Sequence, residues 1–400
     1  MAPTGSTPSR VVAIVTGANR GIGFGICHRL LLQLSRSAPS DALPQPAVSP
    51  STASSPFTPC TAFTLILACR SRYRAETART RLFELLDEDL QKQSAGEEYD
   101  GHGHLFRKNL EIDIIILDLA SVDSVFRFCD EVQQKYPYVT HAILNAAAGP
   151  WNGINWPAAF WKLATDLIYA VTYPDYQKQL VGVRSEDGLG WTWQSNVFGH
   201  YLLVKTLADS FSRVPSSSRP ARILWQTSIS THHREFNPSD WQLTSSLAPY
   251  ELSKYHGDLL SYSLANHDQS GVRHITIHPG VVATQIVVLG WFLSLMKLLS
   301  FHMARLLGSP NHPIYPLQGG ISASHISLVS LDALPPASAP IKYGSRSLGW
   351  TGMEAVGTNP IMGWNEERRK HGQELLERCE KLRFDLEEKR RANPPTWVEC

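Results

Sequence analysis

The stretch "RVVAIVTGANRGIGFGICHRLLLQL", residues 10–34, constrains this chain more than any other. Val11 to Val15 form a continuous apolar run, the composition of a strand buried on both faces. Glycines follow at 17, 21 and 23, and from Ile22 to Leu34 apolar residues recur at helical spacing. A strand that enters a glycine turn and opens a helix is suited to a pyrophosphate. The glycines let the backbone approach, the first helical turn offers free amides, and the helix dipole presents its positive end. Gly17, Arg20, Gly21, Ile22 and Gly23 are therefore the candidate cradle. The spacing G-x-x-x-G-x-G is common on its own, and its place between a buried strand and a helix gives it weight.

The same alternation continues downstream. "AFTLILACR", "DIIILDL", "THAILNA", "ARILWQTS" and "RHITIHPG" read as further buried strands. Between them, "ETARTRLFELLDEDL", "SVFRFCDEVQQKY", Gln194 to Phe211 and the helix from Tyr250 read as helices. Strand alternating with helix predicts an α/β, doubly wound parallel sheet. It is expected as a single domain over 10–345 with insertions and a charged C-terminal helical extension over 360–400. Residues 35–62 carry prolines at 39, 44, 46, 50, 56 and 59 and are expected to form a disordered surface insertion. Residues 150–190 form an aromatic insertion. The C-terminal helix shows one narrow apolar stripe, Leu375, Leu376, Cys379, Leu382 and Leu386, and is expected to dock along it.

With a formal net charge of +1, the chain has no global field that would favour nucleic acid. Its six cysteines show neither metal-ligand spacing nor disulfide density, which predicts a reducing compartment and no metal. "MAPTGSTPSR" has no apolar core of a secretory signal, so a cytosolic or cytosol-facing chain is expected.

The second strand selects the dinucleotide. A site for NAD ends this strand in an acid, whereas a 2′-phosphate needs a cation. Here it ends Ala68-Cys69-Arg70-Ser71-Arg72, and Arg20 adds a guanidinium in the glycine turn, so NADP is expected. Asp118 is placed to accept from the adenine amino group, with an N-cap of the next helix as its other reading. Asn145 is placed to line the adenosine ribose.

"APYELSKYHGDLL" puts Tyr250 and Lys254 on one helix face. Carbonyl reduction needs a hydride on carbon and a proton on oxygen. A phenol of pKa about 10 gives its proton reluctantly at neutral pH unless a cation stabilises the phenolate. Lys254 is expected to lower the Tyr250 pKa and Ser228 to hydrogen-bond the substrate oxygen. Asn196 is expected to support a water chain.

In this order the motifs resemble the short-chain dehydrogenase/reductase family over about residues 10–330, which implies a Rossmann fold and NADPH. The family's active-site Asn, Ser, Tyr and Lys match Asn196, Ser228, Tyr250 and Lys254. Its Asn-Ala-Gly is only partly present, as Asn145-Ala146-Ala147. Pro279-Gly280 matches the turn after the last core strand, and Val282 and Thr284 fall where the family binds the nicotinamide end. The resemblance also implies a homodimer through two long helices.

"QIVVLGWFLSLMKLLSFHMARLLG", residues 285–308, follows Thr284. It is too interrupted by Lys297 to span a bilayer, and two readings fit it. One is a membrane-interface helix with Lys297 and Arg305 snorkelling outward; the other is a buried substrate lid. Either makes the substrate large and apolar. "ACRS", the aromatic insertion and "ILW" before the serine are similar to fungal 3-keto-steroid reductases. That likeness implies a 3-ketosterol substrate in ergosterol biosynthesis. It also implies residence at the endoplasmic reticulum or lipid droplets beside other sterol C-4 demethylation enzymes.

Overall fold

The computed structural model describes residues 10–49, 55–215, 220–231, 233–268, 270–284 and 290–392. In chain order the strands are β1 (Val11–Thr16), β2 (Phe63–Cys69), β3 (Leu110–Ile116), β4 (His141–Leu144) and β5 (Trp151–Ile154). They continue with β6 (Gln177–Gln179), β7 (Arg222–Gln226), β8 (Arg273–His278), β9 (Ile341–Leu348) and β10 (Met353–Pro360). Eight of them form one sheet in the order β10-β9-β8-β7-β4-β1-β2-β3, while β5 and β6 pair apart as a small antiparallel ribbon. All neighbours in the large sheet run parallel except the β9–β10 hairpin.

The principal helices are α1 (Gly21–Leu34), α2 (Arg72–Ser94), α3 (Val122–Lys135), α4 (Trp156–Thr165) and α5 (Leu167–Thr172). After them come α6 (Pro249–His267), α7 (Trp291–Leu306) and α8 (Glu366–Ala392). Helices cover both faces of the sheet. α1 and α2 build one core with Leu65, Leu67 and Ile277, and α3, α6 and α8 build the other with Ile14, Ile66 and Trp225. The doubly wound parallel fold is therefore present. Strand order reverses between β1 and β4, and ligands in such sheets bind in the crevice at that switch point.

Three expectations change. The sheet does not end near residue 345, because β9 and β10 carry it to Pro360. Second, the described part of the 35–62 segment packs on the body instead of lying extended. Asp41 sits in a short 3-10 turn, Ser40–Ala42, and forms a buried ion pair with Arg29 at 2.6 Å, while Val48 and Cys60 enter the core. Residues 50–54 of that segment lie outside the described residues. Third, the helix expected from Gln194 to Phe211 is broken. It runs through Trp191–Trp193, a π turn Gln194–Phe198 and Gly199–Thr206, and a separate turn Ala208–Ser212 follows. π turns disrupt regular side-chain spacing and occur often at functional sites.

α8 docks as its stripe predicts. Leu375 and Cys379 are buried, and Gly372 lets it approach α6 so closely that a Cβ there would stand 2.7 Å from Ser263 Oγ.

Candidate active site

The glycine turn is fixed by sterics. Gly17 and Gly21 have φ of +69° and +54°, the left-handed region that side chains disfavour. A Cβ on Gly23 would stand 2.3 Å from the Gly17 carbonyl oxygen and 2.5 Å from Asn145 Nδ2, so only glycine fits. Asn145 holds the strand ends together: its Nδ2 donates to Thr16 O at 2.8 Å and its Oδ1 accepts from Gln226 Nε2 at 2.5 Å. The Thr16 hydroxyl accepts from Ala146 N at 2.9 Å and meets His200 Nε2 at 3.0 Å. Burial lowers the His200 pKa to about 3, which keeps the ring neutral in this polar knot.

Arg20 and Arg70 are exposed at the mouth of the turn, with Arg74 of α2 beside them. Among the described residues, none of the three side chains forms a hydrogen bond or an ion pair. Unpaired guanidiniums beside a cradle that excludes side chains fit a phosphorylated dinucleotide. Asp118 lines the same cavity, and its Oδ1 accepts from Ala120 N at 2.9 Å. It does not cap α3; Ser121 does, accepting from Ser124 N. Ile22, Val282 and Thr284 also line the cavity, and Val282 is held by a parallel bridge to Ile314.

Tyr250, Lys254 and Ser228 converge on this cavity from α6 and the end of β7. Lys254 is buried, with Nζ donating to Gln226 O at 3.0 Å and lying 5.9 Å from the Tyr250 ring centre. Burial pulls its pKa down to about 8, and Asp258 partly offsets this. The Tyr250 pKa moves opposite to the expectation. Burial raises it well above the ordinary phenol value and Glu251 adds to this, so the side chain is held as the neutral phenol. The Ser228 hydroxyl oxygen accepts from Ser230 N at 3.0 Å, which leaves its O–H free to donate. Of the neighbouring hydroxyls, Thr227 is buried and bonded to Ile277 O, and Ser230 also lines the cavity.

Asn196 sits in the π turn, and its amide is held on both sides. Oδ1 accepts from Ala148 N and Nδ2 donates to Ala148 O, both at 2.8 Å, with a further bond from Nδ2 to Ser253 Oγ at 2.9 Å. These bonds make Asn196 a clasp between the loop after β4 and α6, while Oδ1 keeps a second lone pair to which the expected water chain can attach.

Two elements of the site escaped the sequence. The β5–β6 ribbon from the aromatic insertion clamps the start of α6. Gln179 Oε1 accepts from Tyr250 N at 2.9 Å, its Nε2 donates to Glu251 Oε2 at 2.6 Å, and Trp151 packs on Tyr250 at 5.0 Å. Beneath α6, Lys342 of β9 donates to Ser228 O and to Asp258 Oδ2, both at 2.8 Å, with both side chains fully buried. Burial raises the Asp258 pKa, and the Lys342 and Lys254 ammoniums oppose this. Asp258 follows Lys254 by one helical turn, a spacing that was visible; Lys342 gave no signal.

The cavity is about 1390 Å³ and continues from the arginine end past Tyr250 into an apolar chamber. Its walls include Trp156, Phe160 and Leu163 of α4 and Phe292, Met296 and Phe301 of α7. Ligand pockets usually measure about 300–1,000 Å³, so there is room for two ligands end to end.

No protein-family model matches the chain. It is similar to the 3-keto-steroid reductase erg27 of Schizosaccharomyces pombe, with 31% identity over 309 residues, 77% of this chain and 79% of that protein. The chain belongs to the 3-keto-steroid reductase family. Another relative, the 3-keto-steroid reductase erg27 of Aspergillus fumigatus, is 28% identical over 94% of this chain and 90% of its own length. Among solved structures, a Pseudomonas aeruginosa RhlG/NADP active-site complex overlaps 82% of this chain and 92% of its own at 16% identity and a TM-score of 0.47.

α7 corrects one further expectation. Lys297 and Arg305 do not point outward. Lys297 donates to Thr284 O at 2.9 Å, and Arg305 is buried, donating to His312 O and Pro313 O at 3.1 Å each. The outward face is the apolar one, with Trp291 81% exposed and Leu295, Leu299 and Leu306 beside it. Residues 285–289 of the predicted helix lie outside the described residues. No helix among the described residues is long and apolar enough to cross a membrane.

Proposed function

We propose that this chain is an NADPH-dependent reductase that converts the 3-keto group of a sterol to the 3β-hydroxyl during C-4 demethylation in ergosterol biosynthesis. One observation carries the reading. A single cavity joins a phosphate cradle with free guanidiniums to an apolar chamber, and Tyr250 and Lys254 stand at the junction. The cradle suits the dinucleotide: Gly17, Gly21 and Gly23 admit its pyrophosphate, Arg20 and Arg70 its 2′-phosphate, and Asp118 its adenine. Bound there, NADPH supplies a hydride for a carbonyl carbon.

The chain's own groups manage the oxygen. The Ser228 hydroxyl donates to the carbonyl and polarises it. Tyr250, held as the neutral phenol, transfers its proton to the oxygen as charge develops, and Lys254 stabilises the phenolate left behind. The apolar chamber takes the fused rings and excludes water.

The reaction belongs at the cytosolic face of the endoplasmic reticulum membrane. In support, α7 turns its apolar face outward, and Phe160 and Trp161 of α4 are 66% and 72% exposed on the same lobe. An apolar face kept outward with cations drawn inward is suited to lipid and costly in water. Association with other C-4 demethylation enzymes or a second copy forms part of the proposal. Any such contact must accommodate α8, which already lies along α6.

The test is NADPH consumption with a 4-methylated 3-ketosterol in detergent, with retinal as a competing carbonyl. Turnover of the sterol and not of retinal is expected, and the reverse preference contradicts the substrate assignment.

A further inference from the structure

Lys297 is unusual for a cation in the wall of an apolar lobe. It lies on the inward face of α7, part-buried, with Leu293 and Phe301 on the same face. Its one hydrogen bond among the described residues goes to a neutral acceptor, Thr284 O at 2.9 Å, and no carboxylate pairs with it there. Burial lowers its pKa, as expected for an ammonium removed from water without a counter-charge. The Thr284 carbonyl takes one of the three ammonium protons and leaves two.

What lies on the other side of Thr284 suggests the missing anion. Gly21 opens α1, and a Cβ built on it would stand 3.6 Å from Thr284 Cγ2. Lys297 is thus one residue removed from the helix terminus where the cradle concentrates positive potential, and it lines the same cavity. We propose that Lys297 is a pyrophosphate-binding residue carried by the substrate lobe, so that dinucleotide binding draws α7 over the apolar chamber. The inference rests on the dinucleotide reading and deepens it. It explains why α7 keeps a cation between Leu293 and Phe301, where, unlike Arg305 with its two carbonyl acceptors, it has one. It also assigns the two arginines and the lysine to different phosphates, Arg20 and Arg70 to the 2′-phosphate and Lys297 to the bridge.

The experiment measures equilibrium binding of NADPH and of NADH by nicotinamide fluorescence for the full chain, Lys297→Met, Lys297→Arg and Arg70→Ala. NADH has the pyrophosphate and lacks the 2′-phosphate, so the two residues should separate. Lys297→Met is expected to weaken both nucleotides equally, by about tenfold. Lys297→Arg should recover most of that loss, and Arg70→Ala should weaken NADPH alone. Hydrogen exchange across residues 291–306 provides a second readout: NADPH should slow it in the unmodified chain and not in Lys297→Met. Unchanged affinity for both nucleotides in a folded Lys297→Met overturns the inference, and so does a loss confined to NADPH. If the unmodified chain binds neither nucleotide, the underlying dinucleotide reading fails first.

Discussion

The two ends of the cavity are built by opposite rules. At the phosphate end, β1 and α1 meet through glycines required by positive φ at 17 and 21 and by lack of room at 23, and the charged groups face solvent. At the chamber end, α4, α5 and α7 form a small lobe with Val171, Phe301, Ala304 and Ile314 at its centre. Lys297 and Arg305 turn inward, while Trp291, Phe160 and Trp161 are exposed. The first end obeys the rule that water surrounds the protein. The second breaks that rule, as it would if its natural surroundings were lipid. One set of side chains thus holds a soluble dinucleotide and the other receives a ligand that barely dissolves in water.

Four changes probe that contrast, from the largest effect to the smallest. Gly23→Ala places a Cβ against the Gly17 carbonyl, so nucleotide affinity should fall at least about a hundredfold, with a destabilisation of about 1–3 kcal/mol. Near-normal affinity by titration would mean that the turn is less tightly fixed than its contacts indicate. Next is pH. Only the protonated Lys254 stabilises a phenolate, and its pKa is about 8. Turnover should therefore be flat below that value and drop about tenfold per pH unit above it. A pH–rate profile with its basic limb beyond about pH 10 would rule out Lys254 as the stabilising cation.

Arg70→Ala tests the solvent-facing charges. The preference for NADPH over NADH should shrink by about tenfold, the effect of losing one charge-assisted bond. An unchanged preference would assign the 2′-phosphate elsewhere. The mildest change for chemistry is at the other end. Trp291→Asp with Leu295→Asp should lower partition onto liposomes at least about tenfold and leave NADPH affinity within about twofold. A doubly substituted protein that stays on the vesicles would remove α7 from the proposed membrane face.

Much of this was legible, and the reasons follow the same contrast. The cradle, Arg70, Asp118, Ser228, Tyr250 and Lys254 all lie at strand ends or on one helix face, so spacing along the chain located them in one cavity. β9 stayed hidden because its buried positions are Lys342, Ser345 and Ser347 as well as Tyr343, a pattern no hydrophobic periodicity reveals. The π turn at Asn196 was hidden for a similar reason: one extra residue in a helical turn leaves composition unchanged. α7 was recognised as a helix with its cations on one stripe, but their direction was not legible: the backbone carbonyls of Thr284, His312 and Pro313 that draw Lys297 and Arg305 inward are brought there by the fold. Similarly, the pairing of Tyr250 with Lys254 was visible, whereas burial as the dominant influence on the phenol was not.

The central claim is that the Tyr250 hydroxyl delivers the proton in a site that binds the nucleotide without it. Tyr250→Phe removes one oxygen and leaves the ring against Trp151. With a 4-methylated 3-ketosterol, this variant should lose at least about a thousandfold in turnover. Its NADPH affinity should remain within about threefold of the unmodified chain. Turnover at the unmodified rate, with NADPH bound normally, would contradict the account.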